Sequence, residues 1–230
     1  MINIKSLDVI FGDQPERALA LLDSGQEREQ IRKETGLVVG VKKANITIKK
    51  GEICVLMGLS GSGKSSLLRC INGLNETTRG AIEIEHGGQT IDLVSADADT
   101  LREVRMKRIS MVFQKFALMP WLTVAQNVAM PLELQGIDKK EIKQRVETQL
   151  ELVGLKQWAK LKPSELSGGM QQRVGLARAL VTESDILLMD EPFSALDPLI
   201  RTQLQDELIQ LQEQLQKTII FVSHDLDEAL

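Results

Sequence analysis

Four stretches of this chain are apolar almost without a break: 52–57 (EICVLM), which feeds directly into a glycine-rich loop, and 109–114 (ISMVFQ), 185–192 (DILLMDEP) and 218–225 (TIIFVSHD), which run into polar residues. Runs of this kind predict strands covered on both faces in a parallel sheet, with polar chemistry gathered at their C-terminal ends. A second pattern alternates: AIEIE and TIDLV, separated by HGGQ, predict a hairpin and hence an antiparallel patch beside the parallel core. Elsewhere the apolar positions recur at three and four residues. Leu67, Leu68 and Ile71 mark one helix; Ile142, Val146, Leu150 and Val153 a second; Met170, Val174, Ala177 and Val181 a third. Leu204, Leu208, Leu211 and Leu215 give a crossover helix before the last strand. Residues 15–36, rich in charge and helix formers, predict two short helices around Gly25, with Pro15 in the first turn. The class is α/β: a parallel core, an antiparallel edge and a large helical insertion.

Composition narrows this picture without changing it. The 230 residues suffice for one domain with an inserted lobe, and 26% charged against 43% hydrophobic is ordinary for a folded protein. A formal charge of −4 argues against a nucleic-acid partner. No apolar run approaches the roughly 20 residues that span a bilayer, and the first residues lack a secretory signal, so the cytoplasm is expected. Cys54 on a strand-like run and Cys70 on a helix-like one are expected to be buried, reduced thiols, and His86 to be a solvated turn residue.

Chemistry enters at GLSGSGKS, 58–65, which follows the first apolar run and opens the first helix. It fits the Walker A pattern at every specified position. Gly58, Gly61 and Gly63 allow a tight backbone turn whose N–H groups face phosphate oxygens, so Gly58, Leu59, Ser60, Gly61, Ser62, Gly63, Lys64, Ser65 and Ser66 form the expected nucleotide cradle. Lys64 would bridge the β- and γ-phosphates of ATP, and the Ser65 hydroxyl would ligate Mg²⁺. Asp190, at the end of ILLMD, would hold the same Mg²⁺ through its water shell, while Glu191 next to it would orient and polarise the attacking water as general base. Gln114, also after a strand, would reach the metal or the water. His224, after TIIFVS, would hydrogen-bond the γ-phosphate. The apolar segment after Gln114, with Phe116, Leu118, Met119, Pro120 and Trp121, fits a docking surface and the core of a helical lobe equally well.

The stretch SELSGGMQQR, 164–173, raises a separate question, because it places a second anion-binding helix start in a chain that already has one. Read alone, it is a capped helix with a Gly-Gly turn. Read with the cradle, it makes sense if it closes over a nucleotide held by another copy. Ser167 and the amides of Gly168 and Gly169 would then complete the γ-phosphate site in trans, giving a homodimer around two ATP molecules.

GLSGSGKS, Gln114, LSGGMQQR, ILLMDEP, SALD and His224, in that order, resemble the ATP-binding cassette ATPases across the whole chain, with Met170 and Gln171 as a variant of the signature. The resemblance implies a P-loop ATPase fold over residues 1–230, with a parallel core, an antiparallel β subdomain, a helical N-terminal insert at about 14–36 and a helical subdomain at about 116–180. It implies that Ser194, Ala195, Leu196 and Asp197 cross the dimer interface and that Gln114 opens the loop facing two membrane permease subunits. The insert ending TGLVVGVKKANITIKKGE, together with MVFQKFALMPWLTV and FSALDPLIRTQLQDEL, is similar more narrowly to the ATPases of glycine betaine, proline and choline importers. That likeness implies ATP hydrolysis coupled to uptake of a quaternary amine osmoprotectant, at the cytoplasmic face of the membrane, with an extracytoplasmic substrate-binding protein. The family places an aromatic ring on adenine; this chain has no Tyr, and Phe11 is the candidate. Relatives continue beyond the position of Leu230, so a trimmed C-terminal end is expected.

Overall fold

The computed structural model describes residues 1–193 and 198–224. In chain order the elements are β1 (Ile2–Phe11), α1 (Glu16–Asp23), α2 (Arg28–Thr35), β2 (Val38–Ile48), β3 (Ile53–Leu56), α3 (Lys64–Ile71), β4 (Arg79–His86), β5 (Gln89–Asp92) and α4 (Ala98–Lys107). They continue with β6 (Ile109–Val112), α5 (Val124–Leu134), α6 (Lys139–Leu152), α7 (Gly168–Leu180), β7 (Ile186–Asp190), α8 (Pro198–Leu215) and β8 (Thr218–Val222). The chain divides into two compact units, Met1–Lys50 with Leu56–Leu101, and Gly51–Val55 with Arg102–Leu230. No helix among the described residues is long and apolar enough to cross a membrane.

The second unit holds the parallel sheet that the uninterrupted apolar runs predict. Its strand order is β3-β8-β7-β6, and β7 pairs in parallel with both β6 and β8, so that Asp190 faces Val222. Every residue of β7 and β8 is buried, which is why neither strand alternates. Strand β6 stops at Val112, two residues short of Gln114. One face of the sheet packs Val112, Leu187, Met189, Ile219 and Phe221 against Leu176 and Leu180 of α7 and Leu208 of α8. Each such side chain contributes roughly 1.5–3 kcal/mol when fully buried. The side chains of Leu204, Leu211 and Leu215 lie outside the described residues.

A second cluster joins the helices. Val128 and Leu132 of α5, Ile142, Val146 and Leu150 of α6, and Val174 and Ala177 of α7 form a continuous core. Helix α7 therefore buries one face in this cluster and another against the sheet. The apolar segment after Gln114 divides between the two readings open from sequence. Leu118 packs on the helical cluster, whereas Trp121 is 67% exposed. Asn127, wholly buried on α5, fixes this segment by accepting from the Met119 amide at 2.8 Å and donating to the carbonyls of Met119, Leu122 and Thr123.

The first unit is built on an antiparallel sheet of order β2-β1-β4-β5. The expected hairpin is present as β4 and β5, closed by Gly87 and Gly88, both at positive φ, which suits a two-residue turn. His86 is the last residue of β4 rather than a turn residue, since Gly-Gly alone closes the hairpin. Cys70 is buried, and burial pushes its thiol up to about 11; Cys54 is only half-buried, and both are free. Strands β1 and β2 do not follow from the sequence pattern, for a physical reason. Ile2 and Ile4 alternate as buried residues, but Leu7, Asp8, Val9 and Ile10 are all buried, so the alternation ends where the pairing slips between Ile4 and Leu7, at Ser6 with φ +45°. Helices α1 and α2 lie on either side of Gly25, and their Ala18, Leu22 and Ile31 pack on Ile10, Leu37 and Val39.

Asp8 sits inside β1 with no exposed surface. Its carboxylate accepts from the Lys43 amide at 2.7 Å and from Arg79 Nε at 2.8 Å, and Arg79 reaches on to Asp23 of α1 at 2.7 and 2.9 Å. The Arg79 hydrogen bonds hold the Asp23 carboxyl below its usual range. Asp8→Ala is expected to lower the unfolding free energy by about 2 kcal/mol, because a buried amide and a guanidinium both lose their acceptor. Asp23→Ala, at an exposed pair, is expected to cost far less. Urea unfolding of both variants measures this difference, and equal midpoints would contradict it.

Candidate functional site

In the first unit the chain from Leu56 onward forms the glycine loop. Gly58, Gly61 and Gly63 have φ of +144°, +78° and +98°, and Gly63 caps α3, whose first residues are Lys64, Ser65 and Ser66. A Cβ at Gly63 would lie 2.0 Å from the Gly40 carbonyl oxygen, so β2 and the loop can approach this closely only with glycine. The Lys64 ammonium curls into the loop and donates to the carbonyls of Gly58 at 2.7 Å and Leu59 at 2.9 Å, with Ser62 Oγ at 3.5 Å. Leu59 is 86% exposed, which leaves the outer wall of the loop open. The Phe11 ring lies over Gly40, where a Cβ would come within 2.6 Å of it, so the aromatic ring and the phosphate loop both pack on that glycine. Arg28 at the start of α2 also reaches the loop, 3.5 Å from the Ser62 carbonyl. Its sequence context, one charge among many in a charged helix, carries no sign of this.

In the second unit three of the expected groups meet at the C-terminal edge of the parallel sheet. Asp190 ends β7 fully buried, and the chain then turns at Glu191 with φ +51°, a backbone conformation uncommon for residues other than glycine. The Glu191 amide donates to the Val222 carbonyl at the end of β8, which swings its side chain toward the residues following that strand. Gln114 Nε2 donates to Glu191 Oε2 at 2.7 Å, and His224 Nδ1 lies 3.9 Å from the same oxygen, an ion pair when the imidazole is protonated. Pro192 and Phe193 return at once to the interior, where the Phe193 ring meets Phe221 edge to face. Glu191 is thus a partly exposed carboxylate held between buried neighbours. Ser194, Ala195, Leu196 and Asp197 lie outside the described residues.

Ser167 caps α7, its hydroxyl accepting from the Met170 amide at 3.3 Å, and Ser167 and Gly168 are exposed at the start of this 13-residue helix. A helix of that length presents free N–H groups and a positive dipole end there. Two polar residues further along α7 are buried, Gln172 at 3% and Arg178 at 6% exposure. Gln172 donates to the Pro192 carbonyl, beside Glu191. Arg178 donates to the carbonyls of Ala117 at 2.7 Å and Phe116 at 2.9 Å, just after Gln114, and burial lowers its guanidinium from its usual value. Sequence reasoning overlooked both, although a Gln and an Arg on a helix with apolar residues on two faces are the available signal.

Comparison with known proteins places these features in a family. The profile of the ABC transporter family matches residues 41–194. The chain is 54% identical over its whole length to the glycine betaine/proline betaine transport system ATP-binding protein ProV of Escherichia coli (strain K12), covering 56% of that protein. It is 54% identical to the glycine betaine transport ATP-binding protein OpuAA of Bacillus subtilis (strain 168), again over its whole length and 54% of the relative. The chain therefore spans about half the length of the curated relatives it matches. Among solved structures, the dimeric ATP-binding cassette MJ0796 in a post-hydrolysis state bound to ADP and Pi superposes with a TM-score of 0.83 at 33% identity, over 100% of this chain and 90% of that one. A glycine loop feeding α3, a carboxylate at the tip of a buried strand and a Ser-Gly-Gly helix start thus accompany full-length likeness to such cassettes: the chain belongs to the ABC transporter family.

Proposed function

We propose that this cassette binds and hydrolyses ATP as one of two identical copies and thereby energises uptake of a quaternary amine osmoprotectant, such as glycine betaine, choline or proline betaine. The observation that carries the proposal is the hydrogen bond from Gln114 to a Glu191 carboxylate that His224 also approaches. In this reading Glu191 accepts the proton of the attacking water, Gln114 orients that carboxylate, and His224 contacts the γ-phosphate. Residues 58–66 bind the phosphates, with the Lys64 ammonium moving from the loop carbonyls to the β- and γ-oxygens. The Phe11 ring, 40% exposed, offers a face to adenine. Ser167, Gly168 and Gly169 close the partner's site.

Ser65, Gln114 and Asp190 offer a hydroxyl, an amide and a carboxylate, oxygen donors suited to a hard cation that keeps its remaining positions for water and phosphate. Mg²⁺ bound there would neutralise charge on the phosphates. The exposed Trp121 and its neighbours after Gln114 present an apolar surface for a membrane permease, two copies of which would sit above the cassette pair at the cytoplasmic face of the membrane. A substrate-binding protein on the other side would deliver the amine. Identity of 54% to two betaine-transport ATP-binding proteins supports this cargo class.

Two variants separate binding from chemistry. Glu191→Gln is expected to keep ATP affinity and lose roughly 10²–10⁴-fold in kcat, the share of a general base. Lys64→Ala is expected to weaken ATP binding itself by about 10–100-fold, the worth of a charge-assisted contact. Turnover together with titration of a fluorescent ATP analogue reads both, and normal kcat in Glu191→Gln would remove the assigned base. For the cargo, proteoliposomes carrying the cassette and its permease are expected to hydrolyse ATP faster when the binding protein is loaded with glycine betaine. Equal stimulation by an unloaded binding protein would contradict it.

A further inference from the structure

Two chain segments meet in the Gln114–Glu191 hydrogen bond, and both carry left-handed backbone at residues other than glycine. Phe116 and Ala117 have φ of +54° and +48°, and Glu191 has +51°. Such conformations cost of order 1–3 kcal/mol each and persist where the surroundings over-determine them. Here the surroundings are one helix. The Arg178 guanidinium spans the two consecutive carbonyls of Phe116 and Ala117, a match between a planar fork and a kinked turn. Gly175, one turn earlier, lies beside the same backbone: a Cβ there would stand in ordinary van der Waals contact, 3.7 Å from the Phe116 carbonyl oxygen. Gln172 holds the other segment through the Pro192 carbonyl.

We propose that Arg178 is a positioning residue, fixing the turn after Gln114 so that Gln114 holds Glu191, and that α7 thereby ties the Ser167 end, which meets the partner's nucleotide, to the catalytic carboxylate of its own chain. This rests on Glu191 being the base. Ser167 and Arg178 are 11 residues apart, roughly 16 Å along a helix, and α7 is clamped between two apolar clusters that let it shift only as a body. A displacement at its start therefore reaches both pinned segments.

The test is a double-mutant cycle in the full chain, with kcat, KM and affinity for a fluorescent ATP analogue measured for Gln114→Ala, Arg178→Met and the pair. Arg178→Met is expected to lower kcat about as far as Gln114→Ala, with nucleotide affinity within roughly twofold of the parent, and the double variant to fall no further than Gln114→Ala alone. Arg178→Lys, which keeps the charge and one donor direction, is expected to recover part of the loss. It replaces Arg178→Met in the cycle if that variant does not fold. Losses that multiply in the double variant, or an unchanged kcat without the guanidinium, would overturn the proposal. Those outcomes leave the assigned base standing if Glu191→Gln is slow, whereas a normal Glu191→Gln removes the base and this inference with it.

Discussion

A strand buried along its whole length can offer polar groups only at its ends, and β7 and β8 are buried at every residue. That constraint decides where chemistry stands in the second unit. Asp190, Glu191 and His224 gather at one edge because the chain has no other place on these strands for groups that need water or a ligand. The left-handed turn at Glu191 follows from the same packing. Asp190 before it and Pro192 and Phe193 after it are all buried, so the chain must bulge within one residue, and the bond from the Glu191 amide to Val222 fixes the direction of that bulge.

Helix α7 extends the constraint into the helical cluster. Its apolar residues serve two cores, one on the sheet and one on α5 and α6, so buried polar residues on it must find fixed partners. Gln172 and Arg178 find them in the carbonyls of the two irregular segments that flank Gln114 and Glu191. Asn127 does the same for the backbone from Met119 to Thr123. The segment after Gln114 is thus irregular in backbone yet anchored at both ends, by Arg178 near its start and by Asn127 further on.

The parallel core and the phosphate loop are legible in the sequence because their signals are local: apolar runs of five or six residues, and glycines followed by Lys64 and Ser65. Strands β1 and β2 are not, since beyond the slip at Ser6 four consecutive residues, Leu7 to Ile10, are buried, which erases the alternation that a reader looks for. Asp8 is a related case, because an acid inside a strand reads as an edge or a turn until its partners, Lys43 and Arg79, are brought beside it by pairing 35 and 71 residues away. At the site, the strand-end positions of Gln114, Glu191 and His224 could be read off the pattern. Their approach to one carboxylate oxygen could not, because it depends on sheet order and on the backbone turn at Glu191.

Ser167 and Gly168 stand exposed at a helix start, and the proposed function requires them to complete the site of a second copy. The most direct measurement mixes two defective chains, Lys64→Ala and Ser167→Arg, and counts tightly occluded ATP per dimer. In a mixed pair both defects fall on one composite site and the other is whole, so mixing is predicted to restore occlusion at one site where neither variant alone shows it. Mixtures that occlude no more ATP than the separate variants would contradict a site shared between two chains.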